Sequence, residues 1–141
     1  MIFNTSHINK AYFKQSTNIL GKPFSLFEKI KIKGVGSGRF IIAELSPKLK
    51  PKNTINSDIN YSNIELRPKG IIIHFTNKLN CYSWVIPYYR LVIYNTKTLS
   101  IHSNGHFIKF IKNKNYHDNK NFISKMTDLK NEFLNLDYYN G

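Results

Sequence analysis

The chain has little of several residue types, and each shortage limits what the protein can be. Its 141 residues include one cysteine, Cys81, so an intramolecular disulfide is impossible. Its 8 acidic residues are dispersed singly, so the sequence offers no paired carboxylates for acid–base or two-metal chemistry. It also lacks an unbroken apolar run of signal-peptide or membrane-spanning length, which predicts a cytoplasmic location and no transmembrane segment.

Basic residues are plentiful by contrast. The chain has 21 Lys and Arg and a formal net charge of +13, and its first 52 residues hold ten basic and two acidic residues. Such an excess attracts polyanions and anionic surfaces. Lysine far outnumbers arginine (Arg39, Arg67 and Arg90), a bias typical of AT-rich genomes. That bias does not account for the shortage of acids, so a binding surface and a compositional bias both stay open.

The length fits one domain, which we expect over residues 28–141, with residues 1–27 as an extension that forms a short helix or arm packed on the domain. The alternation in Glu28–Lys33 predicts a strand with Lys29, Lys31 and Lys33 on one face. The GVGSG segment that follows is interpreted as a flexible hairpin turn, because a phosphate-binding loop would lead into a helix. A second strand is predicted over Arg39–Leu45, and residues 46–58 are predicted to form a long exposed loop.

Short alternating segments predict the rest of an antiparallel sheet. The strands expected are Tyr61–Arg67, Gly70–Thr76, Cys81–Ile86, Tyr89–Asn95 and the two arms of a final hairpin. Asn104-Gly105 is the preferred two-residue turn, so the hairpin should pair Leu99 with Phe110, Ile101 with Ile108 and Ser103 with His106.

One amphipathic helix should close the chain. Asp118 is predicted to cap a helix over 118–136. Its apolar stripe is expected to pack on the core and consists of Phe122, Met126, Leu129, Phe133 and Leu136. The expected fold is therefore mainly β (α+β): an antiparallel curled sheet or partly open barrel capped by a C-terminal helix.

Seven strands counted from Arg39, followed by one helix, resemble a pleckstrin-homology-like (PH-like) domain, and SWVIPYYRL (residues 83–91) is similar to a strand-turn segment of small bacterial members. The resemblance covers roughly residues 61–136. It implies a partly open barrel without catalysis, whose loops at one end bind anionic headgroups or proteins. In phosphoinositide-binding members, basic residues near the first inter-strand loop hold the ligand. That loop would be residues 46–60 here, with Lys48, Lys50 and Lys52.

The residues that could support chemistry do not combine into a predicted site. The hairpin register puts His102 and His106 on opposite faces, which argues against a zinc pair. Cys81 could be a nucleophile beside His74, but we interpret it as core or near-surface filler. Tyr82 and Trp84 share a face with Ile86 and are expected in the core, leaving Tyr88 with Arg90 as the more exposed candidates for stacking on bases.

We therefore expect a non-enzymatic binding module, with no catalytic, cofactor or metal site, that engages an anionic protein or membrane surface. Its predicted partner-binding residues are Lys29, Lys31, Lys33, Arg39, Lys48, Lys50 and Lys52. A nucleic-acid-binding protein is the first alternative, although no nucleic-acid-binding motif is present. An enzyme of unknown class is the second.

Overall fold

A computed structural model of the chain describes residues 2–6, 9–47, 61–77 and 80–140. The described part contains an antiparallel sheet of eight strands that does not close, together with four α-helices. The strands are β1 (Ile2–Asn4), β2 (Phe40–Leu45), β3 (Tyr61–Arg67), β4 (Gly70–Asn77), β5 (Asn80–Pro87), β6 (Val92–Asn95), β7 (Leu99–Ser103) and β8 (His106–Phe110). The helices are α1 (Lys10–Leu20), α2 (Leu26–Lys31), α3 (Lys114–Asp118) and α4 (Lys120–Asn140).

The strand order is β1-β5-β4-β3-β2-β8-β7-β6, so β2 lies between two halves of the sheet. Phe40 and Ile41 pair with β3, whereas Ile42, Glu44 and Leu45 pair with β8, with a register shift between Ile42 and Glu44. Such a shift bends a strand and increases its twist. Apolar side chains from both halves meet in one core, which requires the sheet to curl.

The core consists of the alternate residues that each strand turns inward. On β3 these are Ser62, Ile64 and Leu66, while Asn63 and Glu65 lie on the outer face. The helix α4 covers the core with Phe122, Ile123 and Met126, which are buried, and with Leu129 and Phe133, which are partly buried. The predicted curled antiparallel sheet with a C-terminal helix packed on its core is confirmed. The side chain of Leu136 lies outside the described part.

The hairpin is paired as its Asn-Gly turn predicts. Leu99 faces Phe110, Ile101 faces Ile108 and Ser103 faces His106, with both turn residues in the left-handed region. His102 pairs with Phe107, so His102 and His106 lie on opposite faces.

The predicted strand over Glu28–Lys33 is wrong, because residues 26–31 form the helix α2. The Ser25 hydroxyl accepts a hydrogen bond from the Glu28 amide, and the Glu28 carboxylate accepts one from the Ser25 amide. This capping box fixes the start of a helix. Lys29, Lys31 and Lys33 therefore do not share one strand face, and GVGSG is not a hairpin turn. Instead Gly36 forms a bridge with Glu65, alongside β3.

Two boundaries near the C-terminus also differ from the prediction. Residues 88–90 form a 3-10 helix, so β6 starts at Val92 and not at Tyr89. Asp118 is the last residue of α3 and not the N-cap of a helix. The N-cap of α3 is Asn113, whose side chain accepts a hydrogen bond from the Tyr116 amide. The long helix α4 then runs over residues 120–140, where the prediction had 118–136.

The N-terminal residues are folded onto the outer face of the sheet. β1 pairs with β5, and α1 packs Tyr12 and Leu20 against Ile72 and Val85. Gly70, at the start of β4, lies so close to this helix and to β5 that an added Cβ would be 2.5 Å from Leu20 Cδ2 and 2.2 Å from the Ile86 carbonyl oxygen.

Candidate functional site

The outer face of β3, β4 and β5 changes from apolar to polar along its length. At one end Ile72 and Val85 lie under α1. Farther along, Asn63 pairs with His74, and His74 pairs with Ser83, so polar side chains from three strands lie side by side. Tyr12 of α1 interacts with Ser83 at this end, but Asn63 is exposed and His74 is partly exposed. Side chains of this polar end can therefore meet a partner.

Two cavities that share Asn63 and His74 lie on this polar end, and together we call them the outer groove. The first has a volume of about 430 Å³ and includes Arg39, Tyr61 and Cys81 in its lining. The second has a volume of about 510 Å³, and its lining includes Pro23, Phe24, Lys29, Glu65 and Arg67. The groove thus extends from the end of α2 across the sheet to β5.

An ion-pair network forms the floor of the outer groove. Arg67 Nε donates to Glu65 Oε2, and His74 Nε2 lies 3.2 Å from Glu65 Oε1. Burial would raise the pKa of Glu65, but hydrogen bonds from His74 and Arg67, together with their charges, lower it to about 2. Glu65 is therefore ionised at neutral pH, and its charge is already matched by Arg67.

Ser83, His74 and Glu65 form a row that is similar to the relay of a serine hydrolase. Ser83 Oγ lies 2.8 Å from His74 Nδ1, and the carboxylate fixes the other ring nitrogen as a donor. Ser83, however, is 0% exposed, and Thr5 Oγ1 lies 3.1 Å from its hydroxyl oxygen. A substrate carbonyl cannot reach that oxygen. The row instead ties β1, β5, β4 and β3 together.

The structure brings two of the predicted binding residues to the outer groove. Lys29 lines the second cavity, and Arg39 lines the first with its guanidinium carbon 5.3 Å from the centre of the Tyr61 ring. Lys31 and Lys33 are exposed, but they line neither cavity. Lys48, Lys50 and Lys52 lie outside the described residues.

The backbone after α2 is held by α4. Lys125 Nζ donates to the carbonyl oxygens of Lys33 (3.3 Å) and Gly34 (2.9 Å). Desolvation, with a smaller contribution from the charge of Lys33, lowers the pKa of Lys125. Lys29, Lys33 and Lys125 thus belong to one basic region beside the groove.

Cys81 is exposed at the first cavity, so the prediction that it fills the core or the region just below the surface is wrong. It pairs with Thr76, while His74 is hydrogen-bonded to Ser83 and Glu65. His74 is therefore committed to other partners and does not serve Cys81 as a base.

A second outer surface, on β6 to β8, was not predicted from the sequence. We call it the aromatic face, and it consists of Tyr94, His102, Phe107 and Lys109. The ring of His102 lies 5.0 Å from that of Tyr94 and 5.6 Å from that of Phe107, and Lys109 Nζ is 5.4 Å from the Phe107 ring centre. Burial, and then the charge of Lys109, lower the pKa of His102. The hairpin register, which puts His102 opposite Phe107, was the signal that could have revealed this surface.

Tyr88 is not the exposed aromatic that the sequence predicted. It is 1% exposed, and its hydroxyl donates to the Arg67 carbonyl oxygen. Burial raises its pKa. Its neighbour Tyr89 is exposed instead, with the Arg90 guanidinium carbon 5.4 Å from its ring centre. Trp84 is buried as predicted, and Tyr82 packs partly buried against the core.

Among the described residues there is no cluster of three or more His, Cys, Asp or Glu side chains that could hold a metal ion. The described helices include none that is both long and apolar enough to span a membrane. Comparison of the chain with protein-family models, curated protein sequences and solved structures gave no match.

Proposed function

We propose that this protein is a non-enzymatic PH-like binding module of the cytoplasm that engages an anionic partner with the basic residues around its outer groove. The single observation that carries the proposal is the position of Lys29 and Arg39 in two cavities that share a wall. Two cations on one concave surface can contact one anionic partner together.

The shortage of acids supports this function. The ion pairs in the described part involve only two carboxylates, Glu65 with Arg67 and His74, and Glu44 with Lys109. None of them involves Lys29, Lys31, Lys33 or Arg39, all of which are exposed. The positive charge at the groove is therefore not neutralised by carboxylates of the described chain.

The fold agrees with the PH-like part of the proposal. From β2 onward the described residues form seven antiparallel strands, β2 to β8, and then a C-terminal helix that covers the core. The first inter-strand loop, where the resemblance puts ligand-binding lysines, follows β2 directly, and Arg39 immediately precedes that strand.

Charge reversal at the groove tests the proposal. We expect Lys29→Glu with Arg39→Glu to weaken binding to phosphatidylcholine vesicles containing phosphatidylserine, or to a single-stranded oligonucleotide, by about tenfold or more at low salt. The measurement is vesicle co-sedimentation and fluorescence anisotropy over a range of salt concentrations. Binding of the unmodified protein should weaken as the salt concentration rises.

The matched control carries the same change in net charge elsewhere. Lys97 and Lys114 are exposed on the β6–β7 turn and at the start of α3, away from the groove lining. Lys97→Glu with Lys114→Glu should reduce binding much less than the groove variant. Equal losses would mean that only net charge matters, and failure of the unmodified protein to bind either probe would contradict the proposal.

Nucleic-acid binding is the second candidate function, and the aromatic face favours it. Rings on an open sheet face beside a lysine suit the stacking of unpaired bases, which contributes about 1–3 kcal/mol per base. We expect Tyr94→Ala with Phe107→Ala to weaken oligonucleotide binding by about tenfold or more while vesicle binding is unchanged. Oligonucleotide binding that survives this double substitution would argue against the aromatic face as the nucleic-acid site.

A further inference from the structure

The helix α2 presents an apolar face that no described residue covers. Leu26 is 75% exposed, Phe27 is 77% exposed and Ile30 is 70% exposed, and α2 buries no residue. Positions 26, 27 and 30 lie on one side of a helix, because residues three and four apart are neighbours on its surface. Single exposed apolar residues are ordinary, but three on one short helix form a patch of the kind that marks an interaction site.

The chain holds this helix in place without burying it. The capping box at Ser25 and Glu28 fixes its first turn. On either side, Phe24 and Val35 pack against the main core, and Lys125 binds the carbonyl oxygens that follow the helix. Packing on both flanks makes α2 a fixed projection from the body of the protein.

Lysines border the apolar face. Lys29 and Lys31 belong to α2 itself, and Lys22 and Lys33 lie just before and after it, all of them exposed. Glu28 is the one acidic residue of the helix, and its carboxylate is engaged in the capping box. The patch is therefore apolar at its centre and positively charged at its border.

We infer that α2 inserts into the surface of a bilayer containing anionic lipids, an inference that rests on the proposed function. Leu26, Phe27 and Ile30 would enter the boundary between headgroups and acyl chains, while the lysines would contact lipid phosphates. Lys29 belongs to α2 and also lines the second cavity, so the helix adjoins the outer groove.

Charge and polarity select this occupant over the alternatives. A second copy of the chain would bring two lysine borders together, and like charges across an interface oppose association. A nucleic acid would match the lysines but would leave the aliphatic side chains of Leu26 and Ile30 without an apolar partner. An anionic bilayer offers hydrocarbon to the apolar side chains of α2 and negative charge to the lysines that border them.

Fluorescence measures insertion directly. The native Trp84 is 1% exposed in the core, so Phe27→Trp adds a second indole that reports on α2 alone. Its emission should shift to shorter wavelength when phosphatidylcholine vesicles containing phosphatidylserine are added, and brominated acyl chains should quench it. The control is Tyr89→Trp, at a site that is 61% exposed elsewhere on the protein, and its emission should not change. Absence of both a shift and quenching for Phe27→Trp at low salt would overturn the inference.

Substitution of the apolar face separates this inference from the proposed function. Leu26→Ser, Phe27→Ser and Ile30→Ser together should weaken vesicle binding by about tenfold or more and leave the melting temperature unchanged. If this variant binds vesicles like the unmodified protein while Lys29→Glu with Arg39→Glu does not, the electrostatic function stands and insertion is wrong. If the unmodified protein binds the oligonucleotide but not the vesicles, or if the triple substitution abolishes only self-association in light scattering, insertion is also wrong.

Discussion

The two N-terminal helices are capped in the same way but lie in opposite environments, one buried against the sheet and one exposed. The Asn9 side chain caps α1 and the Ser25 side chain caps α2, each by accepting a hydrogen bond from a backbone amide in the first turn. Yet α1 buries Tyr12 and Leu20 on the sheet, whereas α2 buries nothing. Local signals therefore specify a helix, but the residues packed around it decide whether its apolar face stabilises the fold or stays free for a partner.

Leucine-to-alanine substitution in the two helices should give the largest difference in the free energy of unfolding. Leu20→Ala should lower the free energy of unfolding by about 2–5 kcal/mol, because Leu20 is 0% exposed. Leu26→Ala, at a residue that is 75% exposed, should change it by no more than about 0.5 kcal/mol. Urea unfolding of the two variants measures both values. Similar losses would show that α2 is packed against the protein after all.

Acid should loosen the attachment of α1, because Arg67, paired with Glu65, also donates to the Gly21 carbonyl oxygen at the end of α1. Burial would raise the pKa of Glu65, but hydrogen bonds from His74 and Arg67 and their charges lower it from 4.5 to about 2. These interactions therefore stabilise the folded chain above pH 4.5 by about 3 kcal/mol, and this contribution is lost as the pH falls towards 2.

Glu65→Gln measures that contribution. The variant should be less stable than the unmodified protein at neutral pH, and the difference in unfolding free energy should shrink as the pH falls from about 5 to about 2. The matched control is Glu44→Gln, since the Glu44 side chain is 54% exposed in its pair with Lys109. A difference for Glu65→Gln that stays constant with pH would contradict the lowered pKa.

The space beneath α1 leaves no room for a larger residue. In Gly70→Ala, the new methyl group would meet the Ile86 carbonyl oxygen and the Leu20 side chain, so we expect a loss of about 1–3 kcal/mol. The control is Gly36→Ala, where an added Cβ meets nothing within 4 Å. Thermal unfolding compares the two variants, and equal melting temperatures would mean that α1 does not press on β4 as described.

Removal of the helix caps should give the smallest effects. Asn9→Ala should lower global stability by about 1 kcal/mol, because α1 is part of the packed structure. Ser25→Ala should leave the global melting temperature unchanged, since α2 can lose its helical form without exposing buried surface. A global loss from Ser25→Ala equal to that from Asn9→Ala would remove the distinction between the two helices.

Most of the sheet could be predicted because its strands alternate and its turns are marked. The bounds of β3, the pairing of the final hairpin and the stripe on α4 follow from these local patterns. The error at residues 28–33 has a physical cause, since a short alternation of lysine and isoleucine fits a strand or one helical turn equally well. The S-x-x-E pattern of residues 25–28 was the signal that decides between them.

The site was less predictable than the fold. Lys29 and Arg39 could be chosen on charge alone, but their common groove depends on α2 and on strands far apart in the sequence. The contacts of His74 with Glu65 and Ser83 depend on the register of three strands, and the β4–β5 connection carries no recognised turn pair to fix it. The exposure of α2 could not be predicted, since an apolar helical face ordinarily indicates core packing.

The pairing of early strands with late ones has a consequence for folding kinetics. β1 pairs with β5, and the second half of β2 pairs with β8, so β1 and one edge of β2 find partners only after later parts of the chain have left the ribosome. Contacts between residues so distant in sequence are slow to form, because the intervening chain must first lose its entropy. During synthesis the edge of β2 that pairs with β8 therefore stays unpaired until the final hairpin has been made. The chain is most prone to aggregation in this interval.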